Sequence, residues 1–339
     1  MKRIGGGKLQ GNQQILDSWA AGNVINPLVV EVTVTGGCNH GCTHCGSQQF
    51  KPYPDAKNFI DREAFMRFLS DFTDMGGIEV FYAGWGEPLL HPRIDAFLEE
   101  GSQLGLVNVM SSNGSALTEA NARKILPQLA WIRFSVNGGD ADSYARVHQC
   151  PADEFQKLRR NLEKASAVRD RMGLDTRLIV QFITLDSNFR SIEKAVEIHR
   201  AAGIDQIVFR NAGNRDHSLP QAWPEIQEIL QGVENGRDVT VRWETFSTPE
   251  DWPPWSHCHG INFRINLDSQ GNLLTCSKHL LTDTTYGNIL EQGFAEIWNS
   301  QRRKDVFTRV EPGEDISECS LFCQVASDNI FIDHYLTKR

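Results

Sequence analysis

From Leu28 to Asn211 short β-branched or apolar runs alternate with amphipathic helical stretches, and this alternation constrains the fold more than any other feature of the chain. A strand followed by a helix, repeated, builds a parallel sheet with helices packed on it. Six strands are expected, at Leu28–Thr35, Ile78–Ala83, Leu106–Ser111, Trp131–Val136, Arg177–Thr184 and Gln206–Asn211. Between the first two, Phe65, Phe68, Leu69 and Phe72 recur at helical spacing after Asp61, an expected N-cap, and Gly76-Gly77 marks the stop. The pattern changes after Asn211: the stretch to Pro220 is polar, and Pro249 to Trp255 is dense in proline and tryptophan. Beyond it Ile261–Leu267 and Asn272–Cys276 read as a hairpin around Asp268-Ser269-Gln270-Gly271, followed by a helical run near Phe294–Val310. A chain of 339 residues exceeds the usual single core, so a large domain with a smaller one appended, or two domains, is expected.

Charge and hydropathy narrow the function classes. The 34 Lys and Arg against 43 Asp and Glu give a formal charge of -9 with no basic run, which disfavours nucleic acid as a partner. The start of the chain, Met1 to Leu9, is basic and glycine-rich without the apolar stretch of a secretory signal, so a cytoplasmic location is expected. No apolar run approaches the roughly 20 residues that cross a bilayer, so no membrane partner is expected. Gly5 to Lys8 lacks both the full phosphate-loop pattern and a preceding strand, and reads as a flexible arm.

Eight cysteines in such a chain point to metal or redox chemistry before disulfides. Cys38, Cys42 and Cys45 lie directly after the first strand, on a βα loop of the face where barrel-like α/β enzymes carry their sites. Soft thiolates suit iron-sulfur clusters, which commonly take four; a cubane held by three leaves one iron open to an outside ligand. A zinc site built from these three with His40 or His44 is the alternative.

This Cys-x3-Cys-x2-Cys pattern resembles the signature of the radical S-adenosylmethionine (radical SAM) superfamily. The resemblance extends to Ala83-Gly84-Trp85-Gly86-Glu87-Pro88, similar to the family's Gly-Gly-Glu-Pro motif, with Trp85 in place of its first glycine. It implies that Gly84, Gly86, Glu87 and Pro88 hold the methionine amino group, largely through backbone. It further implies a ribose contact at Asn113, and a methionine carboxylate contact at Ser135 with Arg146 as a charged partner; Asn137 stands where an aspartate is usual. The implied fold class is α/β, a partial (β/α)6 TIM-like barrel with a smaller C-terminal α+β iron-sulfur domain. The implied division is an N-terminal arm over residues 1–27, the barrel over 28–215 and the auxiliary domain over 216–339.

Cys258, Cys276, Cys319 and Cys323 follow the boundary. Cys258 and Cys276 form Cys-x12-Gly-x4-Cys around Gly271, which resembles the opening of SPASM and twitch extensions, as do Tyr286-Gly287-Asn288-Ile289 and Glu296-Ile297-Trp298-Asn299-Ser300. One auxiliary 4Fe-4S cluster on these four thiolates is the economical count, with His257 and His259 as fallback ligands and a structural zinc as the alternative. The remaining Cys150, after the fourth strand, is expected to return a hydrogen atom to a substrate radical, as a thiol does in radical SAM epimerases, or to be a buried bystander. Gln181 and Arg210 fall where they can face the barrel interior and are given no role. The tryptophans at 223, 243, 252 and 255 read as core or linker packing.

The resemblance implies a catalytic 4Fe-4S cluster that reductively cleaves S-adenosylmethionine to a 5'-deoxyadenosyl radical, which abstracts a hydrogen atom from substrate. It implies an epimerase or dehydrogenase acting on a peptide or on a carbohydrate-like sugar or aminocyclitol, with flavodoxin or ferredoxin as electron donor. The short stretch before the first strand weakens a leader-dependent peptide reading. The rival from another class is a non-catalytic zinc or iron-sulfur binding module.

Overall fold

The structure, a computed structural model, describes residues 9, 11–45, 58–212, 219–246, 255, 257–276, 284–310 and 325–338. Its strands are β1 (Val29–Val32), β2 (Glu79–Tyr82), β3 (Val107–Ser112), β4 (Trp131–Ser135), β5 (Arg177–Thr184), β6 (Gln206–Asn211), β7 (Val239–Val241), β8 (Arg264–Leu267), β9 (Asn272–Leu274) and β10 (Thr285–Asn288). The helices are α1 (Gln13–Ala20), α2 (Arg62–Asp74), α3 (Ile94–Gln103), α4 (Glu119–Ile125), α5 (Ala141–His148), α6 (Asp153–Met172), α7 (Ile192–Ala201), α8 (Trp223–Val233), α9 (Phe294–Asn299), α10 (Gln301–Val310) and α11 (Ala326–Thr337).

All strands form one sheet in the order β10-β9-β8-β1-β2-β3-β4-β5-β6-β7, parallel from β8 to β7. The six expected strands are all present, and α2 starts where expected: the Asp61 side chain accepts from the Ala64 N–H at 2.8 Å. Residues at alternate positions, such as Val30, Val80, Met110, Ile132, Val180 and Phe209, are buried against the helices. The opposite alternation, with Glu31, Phe81, Val109, Arg133, Gln181 and Arg210, faces the concave side of a partial barrel.

Three features depart from the sequence reading. β7 is a seventh parallel strand that its three residues left undetected, and the expected helical run near Phe294–Val310 is two helices broken at Ser300. The C-terminal hairpin builds no sheet of its own: β8 pairs with β1 in parallel, from Val29–Arg264 to Val32–Leu267, and so extends the barrel sheet. Side chains weld this extension to the barrel. Phe294 of α9 sits 5.1 Å from the Phe68 ring, its N–H donates to Asp71 Oδ2 at 3.0 Å, and Trp298 Nε1 donates to the Ile25 carbonyl at 3.0 Å. Among the described residues, no helix is long and apolar enough to cross a membrane.

Candidate active site at the C-terminal ends of the strands

The loop after β1 docks on the end of α5, where Gly41 N–H donates to the His148 carbonyl at 3.0 Å and Thr43 N–H to the Val147 carbonyl at 2.9 Å. This places Cys38, Cys42 and Cys45 close enough to act on one another electrostatically. Burial pushes the Cys38 thiol up to about 12, although the residue itself is exposed, with the His40 N–H pulling the other way and Glu87 and Cys45 adding to the rise. Burial raises Cys42 further, with Cys45 and Cys38 contributing. The crowded Cys38 and Cys42 thiols resist ionisation without a cation, and iron reverses that balance by ligating thiolates.

Donors already point at these sulfurs. His40 N–H lies 3.5 Å and Asn113 Nδ2 3.9 Å from Cys38 Sγ, and His148 Nδ1 lies 3.3 Å from Cys42 Sγ. The Asn137 N–H donates to His148 Nε2 at 3.1 Å, and burial holds that ring neutral, so its proton resides on Nδ1 and is offered to sulfur. The ligand atoms of His40, Cys42 and His148 do lie within 4.8 Å of one another. With its Nδ1 protonated, however, His148 is a donor to Cys42 rather than a metal ligand. Soft thiolates receiving N–H bonds fit an iron-sulfur cluster.

The turn after β2 packs tightly on the end of β1. A Cβ on Gly86 would stand 2.0 Å from the Thr35 carbonyl oxygen, and one on Gly84, whose φ is +94°, 1.9 Å from Thr33 Oγ1. Trp85 fits in this turn, with its N–H 3.4 Å from Thr33 Oγ1 and its side chain lining a small cavity with Glu31, Thr33, Asn266 and Asp268. Glu87 is buried, and its carboxylate accepts from Ser112 Oγ at 2.7 Å, Asn113 N–H at 2.7 Å and Leu89 N–H at 3.0 Å. Burial raises its pKa against these three donors. Its side chain thus locks the end of β2 to the end of β3, while Pro88 opens the following 3-10 turn.

Asn113 is held by this lock and reaches Asn39 Oδ1 at 2.9 Å as well as Cys38. Ser135 is half-buried on the lumen face in register with Gln181. Arg146 is exposed and donates to the Ser187 carbonyl at 2.8 Å, tying α5 to the segment after β5. Cys150, half-buried between α5 and α6, packs against the apolar layer between sheet and helices, and burial pushes its thiol up to about 11, with Glu154 and Asp153 adding. Asn137 joins β4 to β5, its Oδ1 accepting from Ile183 N–H at 2.7 Å. His148, Ser112 and Arg133 carry no spacing signal that marks a site, although Arg133 falls two residues from Ser135 on the inner alternation of β4.

In the extension, the register Asn266–Leu274 and Leu267–Leu273 puts the beginning of β8 and the end of β9 side by side. Cys258, buried, and Cys276, half-buried, therefore flank the same end of the hairpin, and Asn329 Nδ2 stands 3.6 Å from Cys258 Sγ. Cys319 and Cys323 lie outside the described residues. Trp223 stacks on Phe246 and Trp255 is buried, which makes both packing residues.

Comparison with known proteins agrees with this geometry. The radical SAM superfamily matches residues 32–186 and an iron-sulfur cluster-binding domain, SPASM, matches residues 258–324. The chain is 26% identical to an AdoMet-dependent heme synthase of Methanosarcina barkeri over 88% of each protein. It is 20% identical to a tungsten-containing aldehyde ferredoxin oxidoreductase cofactor-modifying protein of Pyrococcus furiosus, over 79% of this chain and 80% of the relative. Streptococcus suis SuiB bound to S-adenosylmethionine shares the fold, with a TM-score of 0.65 at 15% identity over 98% of this chain and 79% of SuiB. The chain therefore belongs to the radical SAM superfamily, as an enzyme with a SPASM-type iron-sulfur extension that uses S-adenosylmethionine, a 4Fe-4S cluster and auxiliary iron-sulfur chemistry.

Proposed function

We propose that the chain dehydrogenates a small-molecule substrate held in the barrel lumen, with Cys38, Cys42 and Cys45 holding the catalytic cluster and Cys258, Cys276, Cys319 and Cys323 the auxiliary one. When bound, the first cluster supplies an electron that cleaves S-adenosylmethionine to methionine and a hydrogen-abstracting 5'-deoxyadenosyl radical, and the auxiliary cluster supplies a one-electron acceptor. The chain's own residues bind and shield. Gly84, Gly86 and Pro88 shape the turn for the methionine amino group, Glu87 fixes that turn to β3, Asn113 faces the ribose, and Ser135 with Arg146 serves the carboxylate. Phe81, Ala83 and Val109 form an apolar cluster on the lumen face that keeps water from the reacting carbon.

The observation that carries dehydrogenation over epimerisation is the place of Cys150. The thiol that inversion would use packs against the apolar layer between sheet and helices, beside the cysteine loop, where it acts on Cys42, rather than on the inner alternation of a strand. A small-molecule substrate is supported by the heme synthase that matches 88% of this chain, where a peptide draws support only from likeness of fold to the peptide-bound structures of SuiB and anSMEcpe.

The test is to incubate the reduced, reconstituted enzyme with S-adenosylmethionine and a metabolite extract in D2O. A product lighter by two hydrogens, formed in step with 5'-deoxyadenosine and unaffected by Cys150→Ala, is expected. A product that instead gains one deuterium without other change is the mark of epimerisation and contradicts the proposal.

A further inference from the structure

Helix α11 follows the matched iron-sulfur segment, residues 258–324, and buries a polar side chain where an apolar one would pack. Asn329 in its first turns is 0% exposed. One turn on, Ile332 joins Leu16 of α1 and Phe263 in an apolar cluster, and the Tyr335 hydroxyl donates to Asp17 of α1. A leucine at 329 would extend that apolar packing. An amide is buried without loss only when both of its ends are hydrogen-bonded.

Both ends of Asn329 are used, and both on the segment that begins at Cys258. The Gly260 N–H donates to Asn329 Oδ1 at 2.6 Å, and Asn329 Nδ2 stands 3.6 Å from Cys258 Sγ. A backbone N–H can only donate, so the first bond fixes which end of the amide is oxygen and turns the nitrogen toward sulfur. The approach is built into the backbone. The turn His259–Asn262 lies so close to α11 that a Cβ on Gly260 would stand 2.6 Å from Val325 Cβ and 3.1 Å from Asn329 Oδ1. Asn329 is itself anchored, its N–H donating to the Val325 carbonyl at 2.8 Å. Cys258 is buried, so the amide meets the sulfur away from water, where a hydrogen bond is stronger.

We propose that Asn329 is a positioning residue of the auxiliary cluster: its carbonyl holds the turn after Cys258, and its amide N–H donates to the Cys258 thiolate and raises the cluster's potential. An N–H bond to a ligating sulfur withdraws charge from the cluster and so favours its reduced form. Dehydrogenation takes from the substrate radical one electron, which reduces the auxiliary cluster by one, and one proton, which passes to solvent. This rests on the reading of Cys258 as a ligand of that cluster and adds to it a residue outside the cysteine set that sets how readily the electron is taken.

The test uses the chain with Cys38→Ala, Cys42→Ala and Cys45→Ala, reconstituted anaerobically with iron and sulfide, so that the auxiliary cluster alone is titrated by EPR. It is expected to hold about four irons. Asn329→Leu is expected to move the midpoint to a more negative value with iron content unchanged. Asn329→Asp keeps the acceptor for the Gly260 N–H but not the amide donor, and is expected to move the midpoint the same way, whereas a residue that only holds the turn would leave it in place. Equal midpoints with Asn, Leu and Asp at 329 overturn the proposal. Should the variants fail to fold, nitrogen-15 in the asparagine side chains decides: pulsed EPR of the reduced cluster is expected to show coupling to a labelled nitrogen, and no coupling overturns it. Cys258→Ser tests the reading beneath. A chain that binds no iron here, or whose iron content and midpoint ignore Cys258→Ser, sinks that reading; a cluster altered by Cys258→Ser but by neither change at Asn329 sinks this inference alone.

Discussion

His148 Nδ1 stands 3.3 Å from Cys42 Sγ, and the Asn137 N–H on its other nitrogen leaves it only one tautomer in which to do so. An N–H bond to a ligating sulfur withdraws charge from a cluster and raises its potential. His148→Leu, which removes the donor, is therefore expected to shift the cluster's midpoint to a more negative value with iron content unchanged, and His148→Gln to restore part of it. Redox titration followed by EPR reads the shift; equal midpoints in all three proteins contradict it.

Glu87 accepts three hydrogen bonds inside the protein, so its amide replacement turns an –NH2 toward a donor. Glu87→Gln is expected to cost about 2 kcal/mol of stability, read by urea denaturation, and to loosen Asn113 from Cys38. A loss well below this shows that the carboxylate is not the lock between β2 and β3.

Gly86 has no room for a methyl group, because the obstacle is the Thr35 backbone rather than a flexible side chain. Gly86→Ala is expected to destabilise by about 1–3 kcal/mol and to weaken S-adenosylmethionine binding by equilibrium dialysis. Unchanged binding indicates that the turn does not shape the cofactor site.

His199 on α7 is buried with neither ring nitrogen hydrogen-bonded, and burial, with Arg159 adding, holds it down to about 3. Its folded pKa lies below the ordinary value, so between the two the unfolded chain binds the extra proton. Stability is intact above about pH 6.5 and falls as pH drops toward the folded value, by about 1 kcal/mol between pH 7 and 5.5. His199→Leu is expected to lose less stability than wild type over that interval. Parallel losses in urea titrations at the two pH values contradict this.

How much of this was legible in the sequence varies by element. The cysteine loop and the turn at Gly84 to Pro88 are local, each placed by a few residues beside a strand, and the strands that carry them read out from alternation alone. β7 offered only three residues, too few for a period. The parallel pairing of β8 with β1 joins residues far apart along the chain, and nothing within Arg264–Leu267 encodes its neighbour. The same holds for the site's supports: His148 meets Cys42 and Glu87 meets Ser112 only because the βα units bring their strand ends together.

The central claim is that the cysteine loop carries an iron-sulfur cluster that initiates radical chemistry on S-adenosylmethionine. It is tested most directly by anaerobic reconstitution with iron and sulfide, then dithionite and S-adenosylmethionine, with 5'-deoxyadenosine measured for wild type and Cys42→Ala. Wild type is predicted to bind iron and form deoxyadenosine, and Cys42→Ala to form none. Zinc in place of iron, or no deoxyadenosine from iron-loaded wild type, contradicts the account.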